Sequence, residues 1–137
     1  LRELDPGYVD LDVAGTYAAL GRYEEAYQAF IAFYGRCGSP CDWMREAFER
    51  GWAEGGWQGA LRAWLEVATY TEGISPVIIA LVYTMTGETE EAFAWLERGY
   101  RERDPQIIIL KAHYGFDSLR SDPRFDDLLR RIGFPEE

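Results

Sequence analysis

The sequence is poor in the residues that bind metal ions or act as nucleophiles and bases: it has two cysteines and one histidine among 137 residues. A structural zinc site needs about four ligands, and His113 is far in sequence from Cys37 and Cys41. No known catalytic motif surrounds His113, so we expect a partly buried residue at a helix end rather than a general base. The sequence therefore predicts a protein that is not an enzyme, with no metal ion and no cofactor.

Long apolar runs are also missing. A membrane-spanning helix needs about 20 predominantly apolar residues, and the longest runs, at 77–82 and 107–110, are much shorter. We therefore expect no insertion into a membrane. The first residues, LRELDPGY, lack an initiator Met and a signal peptide and are typical of a helix end and a turn. We expect a fragment of a longer protein, located in the cytoplasm, or outside it if a membrane span precedes the fragment.

Positive charge is scarce in the first 97 residues, which carry 16 acidic and 6 basic side chains, whereas residues 98–137 carry 8 of each. The net charge of −10 therefore belongs to the first part of the chain. Acidic surfaces repel phosphate backbones, so we expect no nucleic-acid binding. A cationic or arginine-bearing protein partner would suit this charge; the simpler alternative is that the charge only keeps the protein soluble.

The alternation of apolar and polar residues that is typical of β-strands is rare, and Gly and Pro separate segments of about a dozen helix-forming residues. This pattern predicts an all-α fold, and the length suits one domain spanning residues 1–137. The predicted helices are 8–20, 23–36, 41–54, 57–71, 75–86, 89–102 and 105–113.

A repeat becomes visible when three segments are aligned on Gly21, Gly55 and Gly87, which are 34 and 32 residues apart. Each glycine can end a helix in a turn conformation that other residues resist. The same small residue follows each glycine after five positions, and a large apolar residue comes four positions later: Ala26, Ala60 and Ala92, then Phe30, Trp64 and Leu96. Small residues let two helices approach closely, so each repeat is predicted to be a pair of helices.

This period and pattern resemble the tetratricopeptide repeat, a helix–turn–helix unit. The resemblance implies a right-handed α–α superhelix of about three helix pairs, at 7–40, 41–72 and 73–105, with C-terminal capping helices at 106–137. The cap itself is predicted from residues 122–133: Asp122 and Pro123 suit a helix start, and Gly133 suits its end. Between them, Phe125, Leu128, Leu129 and Ile132 have the spacing of one apolar helix face.

Three segments resemble a more specific family, the C-terminal tetratricopeptide module of bacterial multidomain regulators: GGWQGALRAWLE (55–66), GETEEAFAWLERGYRERDP (87–105) and FDSLRSDPRFDDLLRRIG (116–133). Tyr114 and Gly115 depart from the Asp-Pro that is usual there. In those regulators the module follows a Ser/Thr kinase, a nucleotide cyclase or a winged-helix domain. The resemblance implies a non-catalytic scaffold that binds a protein or peptide in signalling or transcription regulation. The alternative is homo-oligomerisation through stacked repeats.

The resemblance also implies a ligand groove on the concave face of the superhelix. By register, its residues are Tyr8, Leu11, Asp42, Arg45, Glu49, Trp52, Val77, Leu81, Thr84 and Met85. Such a groove suits an apolar peptide or helix with one or two charged anchors. The alternative is that the C-terminal helices, or a second copy of the chain, cover some of the apolar residues.

Both cysteines lie in RCGSPCDW (36–43). A redox motif would have two residues between the cysteines and a βαβ setting, and a zinc site would need more ligands. The repeat register instead places Gly38 and Pro40 in the turn between the first two repeats. We expect free thiols in this turn. The alternative is a disulfide between Cys37 and Cys41, which would indicate an oxidising compartment.

Overall fold

The computed structural model describes residues 15–111 and 114–133, which form helices and turns and contain no β-strand. The prediction of an all-α fold is confirmed. The α-helices are α1 (Tyr23–Cys37), α2 (Asp42–Ala68), α3 (Pro76–Thr86), α4 (Thr89–Arg101) and α5 (Pro123–Ile132). Three 3-10 helices join them: η1 (Ser39–Cys41), η2 (Pro105–Leu110) and η3 (Tyr114–Leu119). Residues 15–19 are also helical; the start of the predicted helix 8–20 lies outside the described residues, as does His113.

Helix α2 contains the turn that the sequence predicts between helices 41–54 and 57–71. Its bounds are continuous, but Gly55 (φ −152°, ψ 23°) and Gly56 (φ 65°, ψ −146°) are not helical. The positive φ of Gly56 favours glycine, because a Cβ would strain this conformation. We call the segments before and after this break α2a (42–54) and α2b (57–68). The predicted helix 105–113 is in contrast the 3-10 helix η2, which ends at Leu110.

The chain divides between Val67 and Ala68 into two compact units. The first contains α1 and nearly all of α2, and the second contains α3, α4, α5 and the two later 3-10 helices. The expectation of one domain over residues 1–137, with repeat bounds 7–40, 41–72 and 73–105, stays a prediction.

The core of the first unit is aromatic. Phe48 of α2a is almost completely buried, and its ring centroid lies 5.3 Å from that of Phe30, 5.9 Å from that of Tyr34 and 5.8 Å from that of Trp57. Segments α2a and α2b approach so closely at Gly51 that a Cβ there would lie 2.2 Å from the carbonyl oxygen of Gly59. Gly51 and Gly59 therefore allow close packing of the two helical segments, whereas Gly55 and Gly56 form the break between them.

In the second unit, the adjacent helices α3 and α4 form a pair that the C-terminal segments cover. Ser75 caps α3 by accepting a hydrogen bond from the backbone N–H of Ile78, and Gly87 ends the helix at φ 83°. The predicted C-terminal helix is present as α5, with Asp122 as its N-cap and Gly133 at φ 100° after its last turn. The buried core of this unit consists of Val77, Ala80, Ala92, Phe93, Leu96, Leu110, Phe116, Leu119, Phe125 and Leu128. No helix in the described part of the chain is long and apolar enough to cross a membrane.

Candidate functional site

Four of the predicted groove residues lie on one face of α2a: Asp42, Arg45, Glu49 and Trp52. Their spacing of three and four residues places them in one row along the helix. Asp42, Arg45 and Trp52 are half-buried and Glu49 is exposed, so the row is accessible to solvent. We call these four residues the α2a face. The other two groove residues predicted for the first unit, Tyr8 and Leu11, lie outside the described residues.

Contacts within the first unit hold the α2a face in place. Arg45 Nη1 lies 3.4 Å from Asp42 Oδ1, a long and partly exposed ion pair. The indole of Trp52 stacks on the ring of Tyr27 in α1, with centroids 4.4 Å apart and ring planes at 12°. Burial raises the pKa of Tyr27, and the negative charge of Glu49 raises it further.

Tyr27 is a member of this site that the sequence prediction missed, because the groove was predicted from the first helix of each proposed pair and Tyr27 lies on α1, the second helix of its pair. A signal exists in the sequence: Glu24 precedes Tyr27 by three residues, as Glu49 precedes Trp52. Both pairs place a carboxylate one helical turn before an aromatic ring. The equal spacing does not reveal that the two rings stack, because that contact joins separate helices.

In the second unit, the structure corrects part of the predicted groove. Val77 has no exposed surface, and its Cγ2 lies so close to α4 that a Cβ on Gly99 would be 2.9 Å away. Thr84 is also buried, and its hydroxyl donates a 2.9 Å hydrogen bond to the carbonyl of Ala80. Neither residue can line an open groove. The alternative predicted from the sequence is that C-terminal helices cover some of the apolar groove residues. This is the case for Val77, which shares a buried core with Phe116 of η3.

The remaining predicted groove residues of the second unit, Leu81 and Met85, are half-buried. Leu81 packs against the buried core of the unit. The accessible part of the predicted groove that the structure describes is therefore mainly the α2a face.

A cleft of about 590 Å³ also opens in the second unit, beside the loop 69–75 and the end of α4. Its most buried charged group is Asp104, which is 7% exposed. One carboxylate oxygen accepts hydrogen bonds from the Ser75 hydroxyl (2.5 Å) and the Val77 amide (3.0 Å), and the other accepts from the Gln106 amide (3.0 Å). Because both oxygens accept hydrogen bonds, Asp104 stabilises the starts of α3 and η2.

No protein family, curated protein or solved structure matches this chain. Within residues 15–111 and 114–133, no group of three His, Cys, Asp or Glu side chains is arranged to hold a metal ion.

Two arginines of α5 dock on α4 in the same manner. The Arg124 guanidinium contacts both carboxylate oxygens of Glu90, at 3.0 and 3.2 Å. Its Cζ lies 4.3 Å from the ring centroid of Phe93, one helical turn after Glu90. A carboxylate and an aromatic ring on one helix thus hold a guanidinium by a bidentate ion pair and a cation–π contact. We call this arrangement an arginine clamp.

The second arginine clamp lies two turns further along both helices. Arg131 Nη1 is 3.0 Å from Glu97 Oε1, and its Nη2 contacts Oε2 of the same carboxylate. The Arg131 Cζ lies 5.3 Å from the ring centroid of Tyr100. Hydrogen bonds from Arg131 hold the pKa of Glu97 below its ordinary value of 4.5.

We predict that Glu97→Gln reduces the acid sensitivity of the second unit. A carboxyl group with a lowered folded-state pKa contributes stability that is present above its unfolded pKa. This stability is lost as the pH falls through the folded-state pKa. Since the side chains of Glu97 and Arg131 are each 37% exposed, solvent screening limits the contribution to about 1 kcal/mol or less.

The measurement is urea unfolding of the wild type and Glu97→Gln at pH 7 and at pH 3. The difference in unfolding free energy should be largest at pH 7 and should shrink at pH 3. Glu72→Gln, in the exposed loop 69–75, is the control and should show a smaller difference at both values. An equal pH dependence for both variants would contradict the role of the Glu97 clamp.

In the structure, Cys37 and Cys41 form a disulfide, with Cα atoms 5.7 Å apart. The structure therefore differs from the expectation of free thiols and has the alternative, a disulfide between the two cysteines. The reason is local geometry: α1 ends at Cys37 and the turn of η1 brings Cys41 back within bonding reach. The disulfide joins the end of α1 to the start of α2, and so supports the aromatic core between them.

Proposed function

We propose that this chain is a non-catalytic protein- or peptide-binding module of a larger bacterial signalling or transcription-regulatory protein, built as a tetratricopeptide superhelix of about three helix pairs with a C-terminal cap. The spacing of the aligned glycines supports the repeat, because Gly21 and Gly87 both have positive φ at helix ends. The adjacent packing of α3 and α4 supports the helix pair as the unit of the fold.

The observation that carries this proposal is the α2a face. It presents an exposed carboxylate and a half-buried indole in one row, and tryptophan is enriched among residues that contribute most to binding. Arg45 and Asp42 supply further polar contacts at the other end of the row. A partner with an apolar side chain, a cationic group opposite Glu49 and an acidic group opposite Arg45 would complement this face.

We also propose a compartment, on the basis of the cysteine pair. Disulfides persist in oxidising compartments, so the bond between Cys37 and Cys41 favours the extracytoplasmic placement over the cytoplasmic one.

A binding experiment tests the proposal. The immobilised protein is screened against a phage-displayed peptide library, and an enriched peptide is synthesised and titrated by fluorescence anisotropy. We predict that Arg45→Glu and Trp52→Ala each weaken binding about tenfold or more. Because Trp52 stacks on Tyr27, circular dichroism must show that Trp52→Ala keeps its helical content.

The matched control is Arg62→Glu, which makes the same charge change at an exposed position of α2b. It should leave the dissociation constant within about twofold of the wild type, as expected for a charge outside the contact. If no peptide is enriched, or if Arg45→Glu and Arg62→Glu weaken binding equally, the α2a face is not the binding site.

A second candidate function is homo-oligomerisation through stacked repeats. Two large apolar side chains near the start of α1 favour it: Leu20 is 65% exposed and Tyr23 is 46% exposed. Exposed apolar residues that lie together can mark a protein–protein interface. A monomer in light scattering at high protein concentration would contradict this function.

A further inference from the structure

The two arginine clamps of the second unit show how this chain holds a guanidinium group. In each clamp, a glutamate and an aromatic residue three positions later share one helix, as in Glu90 and Phe93. The arginine arrives from a different helix, α5, and lies against the ring while it pairs with the carboxylate. An aspartate of α5 or of its N-cap position also pairs with each arginine, Asp122 with Arg124 and Asp127 with Arg131. The receiving helix itself contributes only the glutamate and the aromatic ring.

Over residues 15–67, the first unit carries the same two receiving residues without an arginine docked on them. Glu49 and Trp52 have this spacing on α2a, and the described residues place no cation within ion-pair distance of Glu49. Arg45, the basic residue one turn before Glu49, instead lies against Asp42. A tryptophan of this chain accepts a guanidinium elsewhere, since Arg98 Cζ lies 4.8 Å from the ring centroid of Trp95.

The neighbouring residues strengthen this site. Tyr27 stacks on one face of the Trp52 indole at 4.4 Å, and no other ring among the described residues contacts Trp52. Glu24, on the exposed side of α1, repeats the same spacing before Tyr27. Two glutamate–aromatic pairs therefore meet at one ring stack, in the part of the chain that carries the net negative charge.

We propose that Glu49, Trp52 and Tyr27 form an open arginine clamp that binds an arginine side chain of the partner. This assignment rests on the proposed binding function and names the chemistry of the anchor residue. Arginine fits better than lysine, because a planar guanidinium can stack on the indole and pair with both carboxylate oxygens at once, whereas an ammonium is a compact and strongly hydrated charge.

The test uses the whole chain labelled with ¹⁵N and the indole N–H resonances of its five tryptophans. Trp52→Phe assigns the Trp52 signal. The probe is N-acetyl-arginine amide, and its control is N-acetyl-citrulline amide, which has the same shape without the charge. We expect a saturable shift of the Trp52 signal with a dissociation constant on the order of 10 mM, and no saturable shift with citrulline.

A pair of variants separates the clamp from the general negative charge. Glu49→Gln removes the proposed carboxylate, and Glu54→Gln removes an exposed carboxylate on the opposite side of α2a. We expect Glu49→Gln to weaken arginine binding at least threefold and Glu54→Gln to leave it unchanged. N-acetyl-lysine amide should bind more weakly than the arginine probe to the wild type.

Several results would overturn the clamp: no saturable shift with the arginine probe, an equal shift with citrulline, or equal weakening by both variants. These outcomes are independent of the peptide-library screen. An enriched peptide that binds equally well after its arginines are replaced by citrulline would retain the binding function and reject the clamp. Failure of the screen together with saturable arginine binding would retain the clamp and reject the proposed peptide-binding function.

Discussion

Gly51→Ala is expected to lower the free energy of unfolding of the first unit by about 3 kcal/mol. A Cβ at this position would lie 2.2 Å from the carbonyl oxygen of Gly59, 2.6 Å from its carbonyl carbon and 2.8 Å from the Cα of Ala60. All three are backbone atoms, so no rotation of a side chain can relieve the overlap. Segments α2a and α2b would have to move apart, which would disturb the aromatic core around Phe48.

Gly35→Ala is the matched control for this change. Gly35 lies inside α1, and a Cβ there would meet no atom within 4 Å. Because alanine favours the helical conformation over glycine, this variant should be more stable than the wild type by about 0.5–1 kcal/mol. Urea unfolding followed by tryptophan fluorescence measures both variants, since four of the five tryptophans lie between residues 43 and 64. Equal effects of the two variants would contradict the close approach at Gly51.

Phe125→Ala is expected to lower the free energy of unfolding of the second unit by about 3–5 kcal/mol. The Phe125 ring is almost completely buried, and its centroid lies 6.5 Å from that of Phe116. Removing the ring would leave a cavity between α5 and η3. It would also remove the cation–π contact with Arg120, whose Cζ lies 5.2 Å from the ring centroid.

Ile108→Ala is the control for Phe125→Ala, because it also shortens a large apolar side chain but at a position that is 70% exposed. It should change stability by no more than about 0.5 kcal/mol. Amide hydrogen exchange measured by mass spectrometry resolves the effect: Phe125→Ala should speed exchange in α5 and also in α3 and α4. Unchanged exchange in α3 and α4 would show that α5 does not stabilise the helix pair.

The helix positions could be predicted well because their signals are local. The end of α3 at Gly87 and the start of α5 at Asp122 depend on residues within one helical turn, and glycine or a capping side chain is the cause in each case. The predicted helix 105–113 was wrong in type: Asp104 and Pro105 begin a 3-10 helix, and the Asp104 carboxylate is held by Ser75 and Val77 from a distant segment.

The candidate site was predictable only along one helix. The row from Asp42 to Trp52 follows from helical spacing, which the sequence displays directly. The stacking of Trp52 on Tyr27 joins α2a to α1, and no spacing within either helix encodes which rings meet. The burial of Val77 has the same origin, since Gly99 of α4 and Phe116 of η3, which pack around it, lie more than 20 residues away in sequence.

By itself, the sequence determined that the protein is helical, where most of its helices begin and end, and which residues share a helix face, because these properties depend on neighbours within a few residues. Only the tertiary structure decided which faces are covered and that Cys37 and Cys41 are bonded. It also decided that α4 receives two arginines from α5, while Glu49 and Trp52 receive none from the residues that the structure describes. Those features depend on contacts between segments, and the physical reason is that a side chain's partners are set by the packing of helices rather than by its own position in one helix.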